Sequence, residues 1–303
     1  MLHEAYFYRT MGEFVAAALP FVEEGLVAGE AVLVAVSAPQ IAALDSALGA
    51  GHGVTFADMA ALGRNPGRII SVWRKFVLGN TYAGRGCRGI GEPIWPGRTA
   101  DELVECQRHE VLLNLAFPDS PPWRLMCPYN TSTLDAWVIE EAARSHPVIG
   151  SDGARMPSND YEPDLSRLTP ELLPHPEPAL EFPFTLANIR DIRDTVAVYT
   201  ATTGLTVDQT GEFVLAVHEL AVNSVHHGGG KGILRMWRQP GRVVCEVADD
   251  GHIADPLVGR AAPKPGARQG RGLWLANEMC DLVQLRSSGD GTVVRVHKLE
   301  QPS

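Results

Sequence analysis

The chain has 303 residues, 45% of them hydrophobic and 20% charged, and a formal net charge of -10. That length suggests about two globular domains, and the acidic balance disfavours direct binding to a nucleic-acid backbone, which wants a basic face. Five cysteines without paired spacing argue against a disulfide framework. The apolar run from Ala31 to Val36 is far too short to cross a membrane, and the charged opening residues lack a leader's apolar core, so a reducing cytoplasm is the expected compartment.

In the first half, 6–26 is predicted as a helix, with Phe7, Met11, Phe14, Ala18 and Phe21 toward one side. The run 31–36 suits a strand buried on both faces. A helix over 40–48, a short strand over 54–56, helices near 66–78 and 99–116, and a strand over 123–129 follow. This alternation favours an α/β domain with a largely parallel sheet, over 1–150. The stretch Gly84-Arg85-Gly86-Cys87-Arg88-Gly89 spells Gly-x-Gly-x-x-Gly. No convincing strand leads into it, and Pro93 and Pro96 follow, so it reads as a turn segment. His3, Cys87, Cys106, His109 and Cys127 raise a metal reading. Only Cys106 and His109 are one helical turn apart, no Cys-x-x-Cys occurs, and buried structural cysteine is the expectation.

Residues 151–183 carry prolines at 157, 163, 170, 174, 176, 178 and 183. Proline at this density removes donors and blocks helices, so the segment reads as an interdomain linker. The second domain, 184–303, opens with a helix near 187–203. A helix over 206–226 follows, capped by Thr206 or Asp208. Strands over 232–238 and 243–247 meet at Gln239-Pro240-Gly241. A loop of lid length spans 254–269, a helix begins at Leu273, and strands over 282–286 and 292–297 pair around Gly289-Asp290-Gly291. Helices on one face of a mixed sheet are expected.

Three pieces of this half carry the chemistry. Glu219 and Asn223 are four apart and share one helical face. A carboxylate there can accept a proton, and an amide oxygen one turn on can ligate Mg²⁺. Asp249 closes a strand, where it can accept from an exocyclic amine. Gly270 and Gly272 let backbone N–H groups approach phosphate at the positive end of a helix. Together they describe a nucleotide site without a Walker lysine.

The segment Glu219-Leu-Ala-Val-Asn-Ser-Val-His-His-Gly228, then Asp249-Asp250-Gly251, Gly270-Arg271-Gly272-Leu273 and Gly291-Thr292-Val293-Val294 resemble the N box, the two glycine boxes and the final turn and strand of the GHKL ATP-binding superfamily. Within it, the closest resemblance is to the anti-sigma-factor serine kinases. The resemblance covers about 180–299 and implies an α+β Bergerat fold, the histidine-kinase-like ATPase. It implies ATP and Mg²⁺ as cofactors, Glu219 as catalytic base and Asn223 as the Mg²⁺ ligand. Asn223, Asp249, Gly251, Gly270, Arg271, Gly272, Leu273 and Thr292 would bind the nucleotide. It further implies sequestration of a sigma factor, phosphorylation of an anti-anti-sigma partner of the STAS type on serine or threonine, and a homodimer. One position departs: Ile253 stands where the family often has its second glycine. A catalytically inactive partner-binding switch is therefore the alternative. His218, His226 and His227 raise an atypical histidine kinase, although the chain shows no dimerisation and phosphoacceptor helix pair.

The first half resembles the MEDS sensory domain over about 1–149. The resemblance rests on His3 with its aromatic neighbours, Gly25 to Glu30 before an apolar strand, Glu105 to Glu110 with Asn114, and Cys127-Pro128-Tyr129. It implies a RecA-like core without a working Walker loop and a small-molecule ligand. His3, Tyr6, Glu92, Trp95, His109 and Tyr129 are candidates for its pocket.

Overall fold

The computed structural model describes residues 1–118, 120–168, 173, 175–178, 180–263 and 271–301. The chain divides into two compact units, residues 1–168 and 169–303. The first contains, in order, β1 (Leu2–Tyr8), α1 (Met11–Val27), β2 (Ala31–Val36), α2 (Ala38–Leu48), β3 (Thr55–Asp58), α3 (Met59–Leu62), α4 (Ile69–Tyr82), β4 (Cys87–Gly91), α5 (Ala100–Ala116), β5 (Arg124–Asn130), α6 (Ala136–Ser145), β6 (Val148–Ser151) and β7 (Ala154–Pro157). Its sheet has the order β3-β2-β4-β5-β1-β6-β7. All pairs are parallel except the closing β6–β7 hairpin.

Two stretches differ from the sequence reading. Residues 6–8, expected in a helix, end β1, which pairs with β5 on one side and β6 on the other. The helix starts later because Thr10 caps it, its Oγ1 accepting from the Glu13 N–H at 3.2 Å. The aromatic residues that mimic a helical period serve the two faces of a central strand. The Gly-x-Gly-x-x-Gly stretch, expected as a turn, leads into the buried strand β4. A Cβ on Gly89 or Gly91 would come within 2.7 or 2.8 Å of the Trp73 ring. These glycines let an indole from α4 lie on the sheet rather than cradling a phosphate.

The second unit contains β8 (Leu180–Thr185), α7 (Asp191–Thr200), α8 (Val207–His227), β9 (Lys231–Gln239), β10 (Arg242–Asp249), α9 (Arg271–Met279), β11 (Leu282–Ser288) and β12 (Gly291–Leu299). The sheet, ordered β11-β12-β10-β9-β8, is antiparallel at every pair, where the sequence suggests a mixed one. Phe213, Val217 and Leu220 of α8 pack with Met236, Cys245, Val247 and Val296 of the sheet in one apolar core. The expected linker 151–183 thus holds β7 and most of β8. Pro183 is tolerated because β8 is an edge strand, where a missing donor leaves no ladder partner orphaned. No described helix is long and apolar enough to cross a membrane.

The interior of the first unit holds buried polar side chains beside its apolar core, among them Gln40, Glu92, Glu105 and Glu110. Tyr8 donates to Glu92 Oε1 at 2.7 Å, and Gln40 Nε2 donates to the Tyr8 oxygen at 3.0 Å. Burial raises the Glu92 carboxyl to about 7, against the stabilising pull of its Tyr8 and Gln40 neighbours. An acid raised above its unfolded value holds a proton that the unfolded chain has released. Stability is therefore highest below the unfolded pKa of about 4.5 and falls as pH rises through about 7. Glu92→Gln should remove this dependence. Urea unfolding at pH 5 and pH 8 should show the wild type losing up to about 3 kcal/mol more than the variant; parallel losses would mean that Glu92 is not protonated in the folded chain.

Candidate functional site

The site grows from α8. Thr206 and Gln209 form a reciprocal capping box, with Oγ1 accepting from Gln209 N–H at 3.2 Å and Gln209 Oε1 from Thr206 N–H at 2.9 Å. This start sets the phase of a 21-residue helix whose buried face includes Leu220, Ala221 and Ser224. Glu219 and Asn223 flank that face and are half-buried. Neither side chain has a hydrogen-bond or ion-pair partner among the described residues.

Asp249 ends β10, opposite Thr292 of β12. Its carboxylate is fixed on both oxygens: Ser224 Oγ donates to Oδ2 at 2.5 Å and the Gly251 N–H to Oδ1 at 2.8 Å. Each carboxylate oxygen can accept two hydrogen bonds, so acceptor capacity remains on both. A further chain of donors orders the loop beyond. The Ile253 N–H donates to Ser287 Oγ at 2.8 Å, Ser287 lies 2.8 Å from Thr292 Oγ1, and Thr292 donates to the Gly251 carbonyl at 2.8 Å.

A cavity of about 330 Å³ opens here, lined by Asn223, Asp249, Gly251, Leu273 and Thr292 among the sequence-predicted residues. Leu220, Ile253, Val258 and Val294 supply apolar walls, and Ser224, His227 and Asp255 also border it. Apolar walls around one oriented carboxylate suit a flat ring that presents a hydrogen-bond donor. Arg271 is exposed at the first turn of α9, and Gly272 is buried beside Asn223. Gly270 lies outside the described residues. Glu219 does not line the cavity; it sits one turn before Asn223 on α8. Ser224, which orients Asp249, has no role in the sequence reading. Its signal would have been its place on the buried face, next to Asn223.

Ile253 is half-buried against the domain core. Among the described residues, only Asp152 is a non-glycine with positive φ, so the backbone at 253 makes no demand for glycine. His218 is lowered from its ordinary value by burial first and by Arg193 second, against the pull of Glu219, and is neutral at pH 7. His226 and His227 lie exposed in the last turn of α8.

The six pocket candidates of the first unit have these partners. Tyr6 packs beneath Gly150 and accepts from the Gly153 N–H at 3.3 Å. Trp95 stacks under the Arg98 guanidinium at 3.7 Å. Glu92 binds Tyr8, His109 is buried in α5, and His3 and Tyr129 are buried around His146.

Glycines allow these approaches. A Cβ on Gly272 would lie 2.5 Å from Asn223 Nδ2, and one on Gly251 would lie 2.7 Å from the Gly228 Cα. A Cβ on Gly228 would overlap the Asp249 carboxylate. Gly228→Ala should therefore destabilise the second unit by roughly 1–3 kcal/mol through overpacking. Gly211→Ala, inside the helix that Gly228 ends and with open space around it, should stabilise by roughly 0.5–1 kcal/mol. Urea denaturation followed by circular dichroism reads both; equal effects of the two substitutions would show that Gly228 is not held against Asp249.

Comparison with known proteins gives a match in each half of the chain. Residues 2–147 match the MEDS family, the methanogen/methylotroph DcmR sensory domain. Residues 182–298 match the histidine kinase-like ATPase domain. No curated protein matches the chain at a significant level. Among solved structures, the RsbU and RsbW domains of a Mycobacterium tuberculosis protein align at 18% identity and a TM-score of 0.31, over 42% of this chain and 34% of that one. The match thus spans about a third of the length of that solved chain. The SiaB–SiaC complex from Pseudomonas aeruginosa aligns at 14% identity and 0.32, over 40% and 89%. The histidine kinase domain of the E. coli osmosensor EnvZ aligns at 14% and 0.26, over 43% and 93%. The chain joins a MEDS sensory domain to a histidine kinase-like ATPase domain of the GHKL type.

Proposed function

We propose that the chain is an anti-sigma regulatory factor: a switch that binds ATP with Mg²⁺, holds a sigma factor, and phosphorylates an anti-anti-sigma partner of the STAS type on serine or threonine under control of its MEDS domain. The observation that carries this reading is the cavity in which Asn223, Asp249, Gly251, Leu273 and Thr292 meet. It joins the three sequence boxes at one place in a histidine kinase-like ATPase domain.

The donor set fits the nucleotide. Asp249, pinned by Ser224 and Gly251, would accept from the adenine amine, and Leu220, Ile253 and Val294 would flank the ring. Asn223, whose amide has no partner among the described residues, would hold Mg²⁺ through its oxygen. Arg271 and the first N–H groups of α9 would face the phosphates, where a helix start favours anions. Bound ATP with Mg²⁺ would supply the transferable phosphoryl group and the cation that offsets its charge. Glu219, on the same helix one turn from Asn223, would take the proton from the acceptor hydroxyl. The loop order imposed by Ile253, Ser287 and Thr292 is compatible with an active site despite the absent second glycine.

The decisive experiment separates chemistry from binding. Glu219→Gln keeps the shape of the side chain and removes its basicity. Phosphate transfer from ATP to a STAS-type partner captured by the full chain should fall by about 10²–10⁴, with ATP affinity little changed. Equal transfer by variant and wild type would remove Glu219 as base. A wild type that binds ATP and partner without transfer would favour the inactive switch, and phosphohistidine on the chain would favour a histidine kinase.

A further inference from the structure

The first unit contains a buried constellation that neither domain match explains. His3 lies on β1, Cys127 on the adjacent β5, Glu110 on α5, and His146 directly after α6. In the β1–β5 register Ala5 faces Cys127, so His3 and Cys127 are diagonal neighbours on one sheet face. All four side chains are buried, and their ligand atoms lie within 4.8 Å of one another. His3 Nε2 is 3.1 Å from Glu110 Oε2, His146 Nε2 is 3.4 Å from the same oxygen, and Cys127 Sγ is 3.4 Å from His3 Nε2 and 3.6 Å from Glu110 Oε2.

Those separations are informative. Zinc binds nitrogen and oxygen at about 2.0–2.2 Å and thiolate sulfur at about 2.3 Å in tetrahedral sites, which puts neighbouring ligand atoms about 3.3–3.7 Å apart. The four distances already fall close to the edges of such a tetrahedron.

The surrounding hydrogen bonds aim the imidazoles inward. His146 Nδ1 lies 2.7 Å from the Ala142 carbonyl, an acceptor only, so Nδ1 carries a proton and the neutral ring presents its lone pair at Nε2. Asn114 Nδ2 donates to the Glu110 and Ser145 carbonyls at 3.3 and 2.8 Å, which turns its Oδ1 toward His3 Nδ1 at 3.2 Å. His3 Nδ1 is thereby the donor, and Nε2 is left to face Glu110. His146 Nε2 and Glu110 Oε1 have no hydrogen-bond partner among the described residues. Two imidazole lone pairs and a carboxylate oxygen converge with the Cys127 thiol proton between them, an arrangement that a cation relieves. Outer partners of this kind, on carbonyl and amide oxygens, are what metal-ligating histidines have.

We propose that His3, Glu110, Cys127 and His146 form a closed tetrahedral site for a divalent transition-metal ion of the zinc class. Binding exchanges the Cys127 S–H proton, released to solvent, for a metal–sulfur bond. Two neutral imidazoles, one carboxylate and one thiolate then balance the charge of the ion, which is what a fully buried site demands. Mixed nitrogen and sulfur donors select zinc over magnesium or calcium. The ligands come from β1, α5, β5 and the residue after α6, so the ion would tie β1 to the end of α6.

The test uses the full chain purified under reducing conditions without chelator. Elemental analysis should find zinc in stoichiometric amount. Refolding with Co²⁺ should give the visible bands of tetrahedral cobalt and a thiolate charge-transfer band. Cys127→Ser should abolish that band, and His146→Ala should release the metal. Asn114→Ala, whose side chain meets the His3 ring and otherwise only backbone carbonyls of Glu110 and Ser145, should weaken retention against a chelator by about 10–100-fold and serves if the ligand variants fail to fold. A folded wild type that carries no transition metal and takes up neither Zn²⁺ nor Co²⁺ would overturn the site and leave a proton-sharing network. Metal retained in full by both the Cys127 and His146 variants would equally overturn it.

Discussion

The second domain depends on the placement of one carboxylate. Asp249 ends a central strand and is gripped by Ser224 from the helix below and by the Gly251 amide from the loop ahead. Gly228 and Gly251 stand so close around it that a methyl group on either would collide. These contacts bring the end of α8, the end of β10 and the loop that follows it to one point. The cavity is the space that remains in front of them. Its polarity is directional because the carboxylate cannot rotate, and its walls are apolar because the neighbouring positions belong to the domain core.

The first domain solves a different problem. Most of α5 is inside the unit, and the helix carries Glu105, Arg108, His109 and Glu110 into the interior. Such residues are retained only where partners neutralise or hydrogen-bond them. Glu92 is met by Tyr8. Glu110 is met by two histidines and a thiol. The MEDS domain thus carries its charged groups where a bound ion, a proton or a ligand would alter packing directly.

Much of the ATPase domain was legible because its boxes are local. A carboxylate and an amide one helical turn apart, or two glycines around an arginine, can be seen without knowing what packs on them. What escaped depends on strand register or on distant segments. Ser224 orients Asp249 only because β10 packs against α8, and no spacing between residues 224 and 249 encodes that. His146 joins His3 across almost the whole first unit, and Glu110 looks like one charge among several on a helix. The helical reading of residues 6–8 failed because aromatic residues on a strand buried on both faces have no alternation to reveal it. In the glycine-rich stretch the turn reading fits Gly84, at φ +73°, whereas Gly89 lies in β4 and is required by Trp73, on another element.

The most direct measurement is a calorimetric titration of the full chain with ATP and Mg²⁺, beside Asp249→Asn. The wild type should bind saturably. The variant should bind about ten- to a hundredfold more weakly, since the charged acceptor at the floor of the cavity accounts for roughly 1.5–3 kcal/mol. No binding by the wild type at millimolar nucleotide, or equal binding by both, would contradict the assignment of this cavity as the nucleotide site.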